Sequence, residues 1–458
     1  MSRPVFDSTL PQDPSTNQEA FSFLESCIGA TFDLTSVDAI SLAPEKVATL
    51  FSQSKIEELQ YRGRSNGDPK LLSQCANFFQ RFGIDCNEKN VSLTQHILHA
   101  IEKSYSILKL DKKILIPTPT FGYYFVQLQE SGYDFETIPT RKEDNFLLNP
   151  IDLEEAIVRT GSKVLLLCNP NNPIGSVMTR ERAELIADVA KRHNIFVISD
   201  EAFLQNTIYE NTHFPIASID GMLEKSLTLT SITKSFGVGT LRTGFCVGPE
   251  HIVKRFAELG GFPTETTQNA IAAALEDSIE NQSYHAENRQ KYLHHIEFTK
   301  SKIAQLNQRF GEIFGEEKPG IDAYVKPYIE IPETGGPYIL DFSGLRGKIH
   351  NGKVMETGLD AAKWLLENAS VGTVPGECFF LDEKEMVVRI AISRPTEELD
   401  LAFNSAIEAT SAIQNPLIAQ EAIVATVDIP PPSGSPTTSG KTVSKMATCI
   451  LEGISANK

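Results

Sequence analysis

The sequence predicts an α/β protein: a large domain built on a mainly parallel sheet, followed by a smaller α+β domain. Three observations carry this. Short apolar runs bounded by turn residues recur at 163–168 (KVLLLC), 195–198 (IFVI) and 226–230 (SLTLT). Between the first two lies ERAELIADVAKRH (181–193), with Leu185, Ile186 and Val189 on one face and charges on the other, which is the period of a helix. Strand, helix, strand in that order points to parallel pairing.

The rest of the chain follows in order. Residues 1–40 read as an arm, polar to about residue 35, with prolines at 4, 11 and 14. Residues 41–84 read as the N-terminal part of the small domain and an interface segment, and 85–285 as the large domain. The charged stretch 275–315 has the look of a long connecting helix, and 286–415 reads as that helix plus the small C-terminal domain. Its strands are expected at 338–342 and 387–391, with a helix around 361–368. Residues 416–458 contain PPPSGSPTTSGKTVSK, a composition that does not build a core, and read as a disordered tail.

Composition narrows the function classes. Of 458 residues, 42 are Lys or Arg and 59 are Asp or Glu, a net charge of −17, so a nucleic-acid partner or an anionic membrane surface is not expected. No apolar run approaches the roughly 18 residues of a membrane helix, and no apolar run follows a basic start at the N-terminus. Seven cysteines (27, 75, 86, 168, 246, 378 and 449) form no C-x-x-C pair, which suits a reducing compartment. The expected location is the cytoplasm. His96 and His99 form an H-x-x-H pair without a further ligand nearby, so no metal is expected. The tract 434–442 (GSPTTSGKT) has one residue too many between its glycines for a phosphate-binding P-loop, and no strand–loop–helix context.

The chemistry lies where polar residues meet the ends of apolar strands. Asn172 follows the first run (CNPNNPIG), Asp200 ends the second (FVISDEAF), and Lys234 follows the third (TSITKSFG), with Arg242 eight residues on. Ligands of open α/β sheets bind outside the carboxyl ends of the strands, so these residues can converge. A lysine amine can hold an aldehyde as a Schiff base. A carboxylate can keep a pyridine nitrogen protonated. An amide can donate to a ring oxygen, and an arginine with a serine can bind a phosphate. That is the set a pyridoxal phosphate site needs.

NPNNPIG, SDEAF, S-x-x-K and L-R-x-G-F, in this order and spacing, resemble the fold type I pyridoxal phosphate enzymes of aminotransferase class I/II. The likeness covers roughly residues 40–410. It implies Lys234 as the Schiff-base lysine and proton shuttle, Asp200 at the pyridine nitrogen, Asn172 at O3′, and Ser231 and Arg242 on the phosphate. It further implies Phe121 stacked on the cofactor, Arg389 gripping the substrate α-carboxylate, and Tyr61 reaching the phosphate of a partner subunit, hence a homodimer. The implied reaction moves an amino group between an L-amino acid and a 2-oxo acid. A decarboxylase, lyase or oxidative deaminase on the same fold is the alternative, and a non-catalytic binding protein a more distant one.

Two positions depart from the family pattern. Phe203 stands where the family usually has a tyrosine that donates to O3′. Its absence leaves more negative charge beside the imine and implies a raised pKa for it. His96 and Ile97 stand where a small-residue turn usually opens the helix that faces the phosphate. Backbone N–H groups there can still meet an anion, but the close approach glycine allows is lost. His96 itself reads as a satisfied structural histidine. Arg62, Arg64 and Arg394 are candidate contacts for an acidic side chain, and each reads as solvated.

Overall fold

The computed structural model describes residues 14–52, 67–108, 113–209, 213–316, 318–330 and 332–415. Tyr61, Arg62, Arg64, Cys449 and the tail 416–458 lie outside the described residues.

The large sheet has seven strands among the described residues: β1 (Val91–Thr94), β2 (Ile114–Thr118), β3 (Phe135–Pro139), β4 (Val164–Cys168), β5 (Phe196–Asp200), β6 (Ser226–Thr230) and β7 (Gly244–Val247). Their spatial order is β1-β7-β6-β5-β4-β2-β3. Only β7 runs antiparallel, against both β1 and β6. The pairs β2–β3, β2–β4, β4–β5 and β5–β6 are parallel. Strands β4, β5 and β6 are those read from the sequence, to within one or two residues at their ends.

Alternation along the strands sorts side chains between two apolar layers. Leu165, Leu167 and Val197 pack with helices α4 (Pro150–Thr160) and α5 (Arg180–His193) on one face. Val164, Leu166, Ile198 and Leu229 pack on the other with α2 (Ile97–Leu108) and α3 (Tyr123–Glu130). Thr179 caps α5 by accepting from the Arg182 N–H, and Asn194 closes it in the left-handed conformation at φ +54°. From β2 the chain steps out to β3, then returns to place β4 on the far side of β2. A crevice therefore opens at the carboxyl ends of β2 and β4, where such sheets take their ligands.

Helix α6 (Ile279–Phe314) is 36 residues long, about 54 Å at 1.5 Å per residue. It leads to a second, antiparallel sheet ordered Val374–Pro375 (β10), Val387–Ala391 (β11), Pro337–Asp341 (β9) and Lys326–Pro327 (β8). Helices α7 (Gly358–Ala369) and α8 (Thr396–Ala409) cover it, and Trp364, Phe310, Tyr324, Val388 and Ile390 fill the core between. Asp360 caps α7 from within: the Thr357 side chain accepts from the Asp360 N–H, and the Asp360 carboxylate from the Thr357 N–H. The polar arm differs from its reading in one respect, since Pro14–Ser26 forms a helix, α1. Ala20, Phe23 and Cys27 are buried at helical spacing, and Glu19 pairs with Lys363 at 2.6 Å. The arm then pairs Phe32–Asp33 in parallel with Val371–Gly372, and Leu34 O accepts from Ala391 N–H at 2.9 Å.

Candidate active site

The alternation of β5 separates two adjacent carboxylates. Glu201 turns to the side of Ser199, accepts from its hydroxyl at 2.9 Å and meets His213 Nε2 at 2.7 Å, all buried. Asp200 falls on the side of Ile198 and opens onto a cavity of about 440 Å³. Asp200 Oδ2 accepts from the Tyr124 hydroxyl at 2.5 Å, and Oδ1 from the Ala202 N–H at 3.0 Å. Burial pushes this carboxyl up to about 6, against the opposite pull of those two bonds. Tyr124 was not foreseen from the sequence. It stands three residues after Phe121 and two after Gly122, in the first turn of α3.

Asn172, Ser231, Lys234, Arg242, Phe121 and Arg389 line the same cavity as Asp200, and so do Phe203 and His96. Residues from four strand ends and from the second sheet are thus brought together. Lys234 sits in a single short turn after β6, and its Nζ donates to Val37 O at 2.5 Å. Burial lowers its pKa, which favours the free amine. Ser231 Oγ accepts from the Thr233 N–H at 2.9 Å. Arg242 holds a left-handed backbone at φ +48° and stays exposed. The Phe121 ring lies edge-on to Tyr124, with centroids 5.5 Å apart.

Arg389 belongs to an interior strand, paired with Ile339 on one side and Val374 on the other. It is 6% exposed. Its Nη1 donates to Asn172 Oδ1 at 3.1 Å, its Nη2 to Thr35 O, and its guanidinium lies 5.0 Å from the centroid of the Phe379 ring. Because Asn172 Oδ1 accepts there, its amide N–H₂ remains as a donor. Burial pulls the Arg389 pKa down to about 10, so the guanidinium keeps its charge at neutral pH.

Phe203 is buried with Val37 and Ala391. His96 caps α2: its Nδ1 accepts from the His99 N–H at 3.1 Å, and its carbonyl from the Ala100 N–H at 3.1 Å. Burial, together with Arg242 and His99, lowers its pKa to about 4, so the ring is neutral with its proton on Nε2. The structural reading of His96 therefore stands beside a place in the cavity wall. Tyr61 lies outside the described residues.

The family described as aminotransferase class I and II matches residues 33–405. The chain belongs to this family. It is a pyridoxal phosphate-dependent aminotransferase, acting between an amino acid and a 2-oxo acid. It is 26% identical over 388 residues to an aspartate aminotransferase of Musicola paradisiaca, covering 82% of this chain and 88% of that one. It is 27% identical to aromatic-amino-acid aminotransferase 2 of Thermococcus litoralis, covering 79% and 87%. Among solved structures it resembles an aromatic aminotransferase of Pyrococcus horikoshii (TM-score 0.69, 23% identity, 88% of this chain and 99% of that one). It likewise resembles the aspartate aminotransferase of Thermus thermophilus (TM-score 0.71, 21% identity, 87% and 97%).

The aminotransferase's own side chains fit the cofactor. A buried carboxylate, a buried amine and an exposed arginine face one cavity, and among the described residues Arg389 Nε, Thr94 Oγ1 and Thr243 Oγ1 are buried polar atoms without a partner. A Cβ at Gly244 would collide with Thr94 Oγ1 and press on the His96 backbone, so the strand beside the α2 cap has room only for glycine. No described helix is long and apolar enough to cross a membrane.

Proposed function

We propose that Lys234 carries the cofactor as a Schiff base and moves the proton of the substrate during transamination. The single observation behind this is the meeting, in one cavity, of Lys234, Asp200, Asn172 and Arg389 from four separated segments of chain. The bound cofactor supplies the aldehyde and an aromatic ring able to take up electrons. Asp200 then offers a carboxylate to the ring nitrogen, oriented by Tyr124, in a site dry enough to make that pairing strong. Asn172 offers its N–H₂ to O3′, Ser231 and Arg242 bind the phosphate, and Phe121 stacks on the ring. Arg389 holds the α-carboxylate of the L-amino acid or 2-oxo acid with two parallel donors. The desolvated Lys234 amine, neutral more readily than an exposed lysine, takes the Cα proton and returns it.

On this reading the enzyme is a cytoplasmic homodimer, with Tyr61 completing the phosphate site of the partner subunit. Residues 85–285 form its large domain and 286–415 the connecting helix and small domain. The test is an absorption scan of the purified protein with pyridoxal phosphate, repeated with each common L-amino acid and no oxo acid. The yellow band should form, and should give way to the pyridoxamine band with some amino acids. Lys234→Ala should lose the covalent band. A wild-type protein that releases carbon dioxide and never makes pyridoxamine would overturn the proposal.

A further inference from the structure

The cavity wall has two chemistries. The charged part is Asp200, Lys234, Arg242 and Arg389. The other part is apolar: Phe21 and Leu24 from α1, Val37 from the arm, Tyr123, Val374 and Phe379. Apart from Val37, which packs on Phe203 and Ala391, these apolar groups pack together. The Phe21 ring meets Tyr123 edge-on at 5.9 Å. Ala20, Val374, Cys378 and Phe379 form one buried cluster, with Phe21 and Leu24 packed against it. A side chain at Gly122 would strike both the Phe21 ring and the Cys378 carbonyl, so α1 and the 376–379 turn close on the same point.

This wall adjoins Arg389, whose guanidinium lies over the Phe379 ring. A carboxylate held by Arg389 therefore places its neighbouring atoms against apolar surface. Among the described residues the remaining cations of the wall are Lys234 and Arg242, both committed to the cofactor, with His96 neutral. Arg394 is not part of the wall; it reaches Ser36 O at 3.4 Å and Asp33 Oδ2 at 3.8 Å. Among the described residues a second carboxylate would meet no further cation there, and burying it unpaired is costly. An aromatic or branched side chain gains from the same burial.

We propose that the site selects L-amino acids with large apolar side chains, aromatic or branched aliphatic, over aspartate and glutamate. This rests on Arg389 as the α-carboxylate site.

The test reads binding without turnover. The holoenzyme is titrated with 3-phenylpropionate and with succinate, following the cofactor band and calorimetry. 3-Phenylpropionate should bind at least about 30-fold more tightly, within the range a dedicated apolar pocket provides. Phe21→Ala should weaken 3-phenylpropionate about tenfold and leave propionate unchanged. Leu24→Arg should strengthen succinate and weaken 3-phenylpropionate, a reversal that misfolding does not produce. Succinate binding as tightly as 3-phenylpropionate to the wild type would overturn the proposal, and would point to Arg62 or Arg64. So would a Phe21→Ala effect equal for both acids. If Arg389→Lys changes neither affinity, the carboxylate assignment itself falls, a failure separable from a wrong side-chain class. The amino acid scan supplies the second readout, with phenylalanine or leucine expected at least about 100-fold above aspartate in kcat/KM.

Discussion

Asp200 should cost the cofactor-free protein stability, and replacing it should give that stability back. Its carboxyl is pushed from 3.8 up to about 6, because burial outweighs the Tyr124 and Ala202 hydrogen bonds. A shift of about two units is worth about 3 kcal/mol. The sign follows from proton binding. Between about pH 4 and 6 the folded protein keeps a proton that the unfolded chain has lost, so stability falls as pH rises through that window and is level above it. Asp200→Asn removes the titration while its amide can still accept from Ala202 and meet the Tyr124 oxygen. The apoprotein variant should therefore be more stable than the wild type by up to about 3 kcal/mol at pH 7.5, and by about half of that at pH 5.

Thermal melting of the apoprotein at matched concentration is the assay. For a chain of this size roughly 1–2 °C per kcal/mol is expected, so Asp200→Asn should melt about 3–6 °C higher at pH 7.5. Saturating pyridoxal phosphate should reverse the order, since the cationic ring nitrogen stabilises only the wild-type carboxylate. A variant no more stable than the wild type at pH 7.5, or a gain independent of pH, would refute the reasoning.

Two further outcomes follow from neighbours of the same ring site. Tyr124→Phe removes a donor that lowers the Asp200 pKa, and a bond to a charged group is worth about 1.5–3 kcal/mol. The fall in apoprotein stability should then continue one to two pH units past 6, and should vanish when Asp200→Asn is added. Phe203→Tyr adds a hydroxyl to a ring that lines the same cavity as Asn172 and Lys234. The pH at which the bound cofactor's yellow band is lost should drop by about one to two units, and an unchanged titration would remove Phe203 as the cause of any unusual value.

The site was legible where apolar runs end on a polar residue. Cys168, Asp200 and Thr230 close three adjacent strands, with Cys168 opposite Asp200 and Asp200 opposite Leu229. A sheet of aligned strands sets those ends side by side, so residues far apart in sequence announce one place. Tyr124 was missed because its role depends on a hydroxyl reaching a neighbouring strand from α3, which no linear spacing states, although Phe121 three residues earlier gave its neighbourhood. Helix α1 was missed for a different reason. Ala20, Phe23, Leu24 and Cys27 have helical spacing, but prolines and polar residues before them set the reading of the whole arm. The contribution of Thr35 and Val37 could not be read at all, because it is made by main-chain carbonyls, which every residue possesses.

Those two carbonyls connect the arm to the chemistry. Thr35 and Val37 stand two residues apart in the segment that follows Phe32–Asp33. Thr35 O accepts from Arg389, and Val37 O accepts from Lys234. The segment is tied at both ends, by Leu34 O to Ala391 N–H and by Asp38 N–H to Ser393 Oγ. It gives an acceptor to two groups that the reaction needs for other partners: an α-carboxylate for the guanidinium and an aldehyde carbon for the amine. Desolvation lowers the pKa of both groups, and each carbonyl gives one of them an acceptor in the cofactor-free protein. A neutral carbonyl is a weaker partner for a guanidinium than a carboxylate. The arm can therefore hold Arg389 in place and still yield it to the substrate, while Val37 keeps its apolar side chain in the wall that the substrate's own side chain must meet.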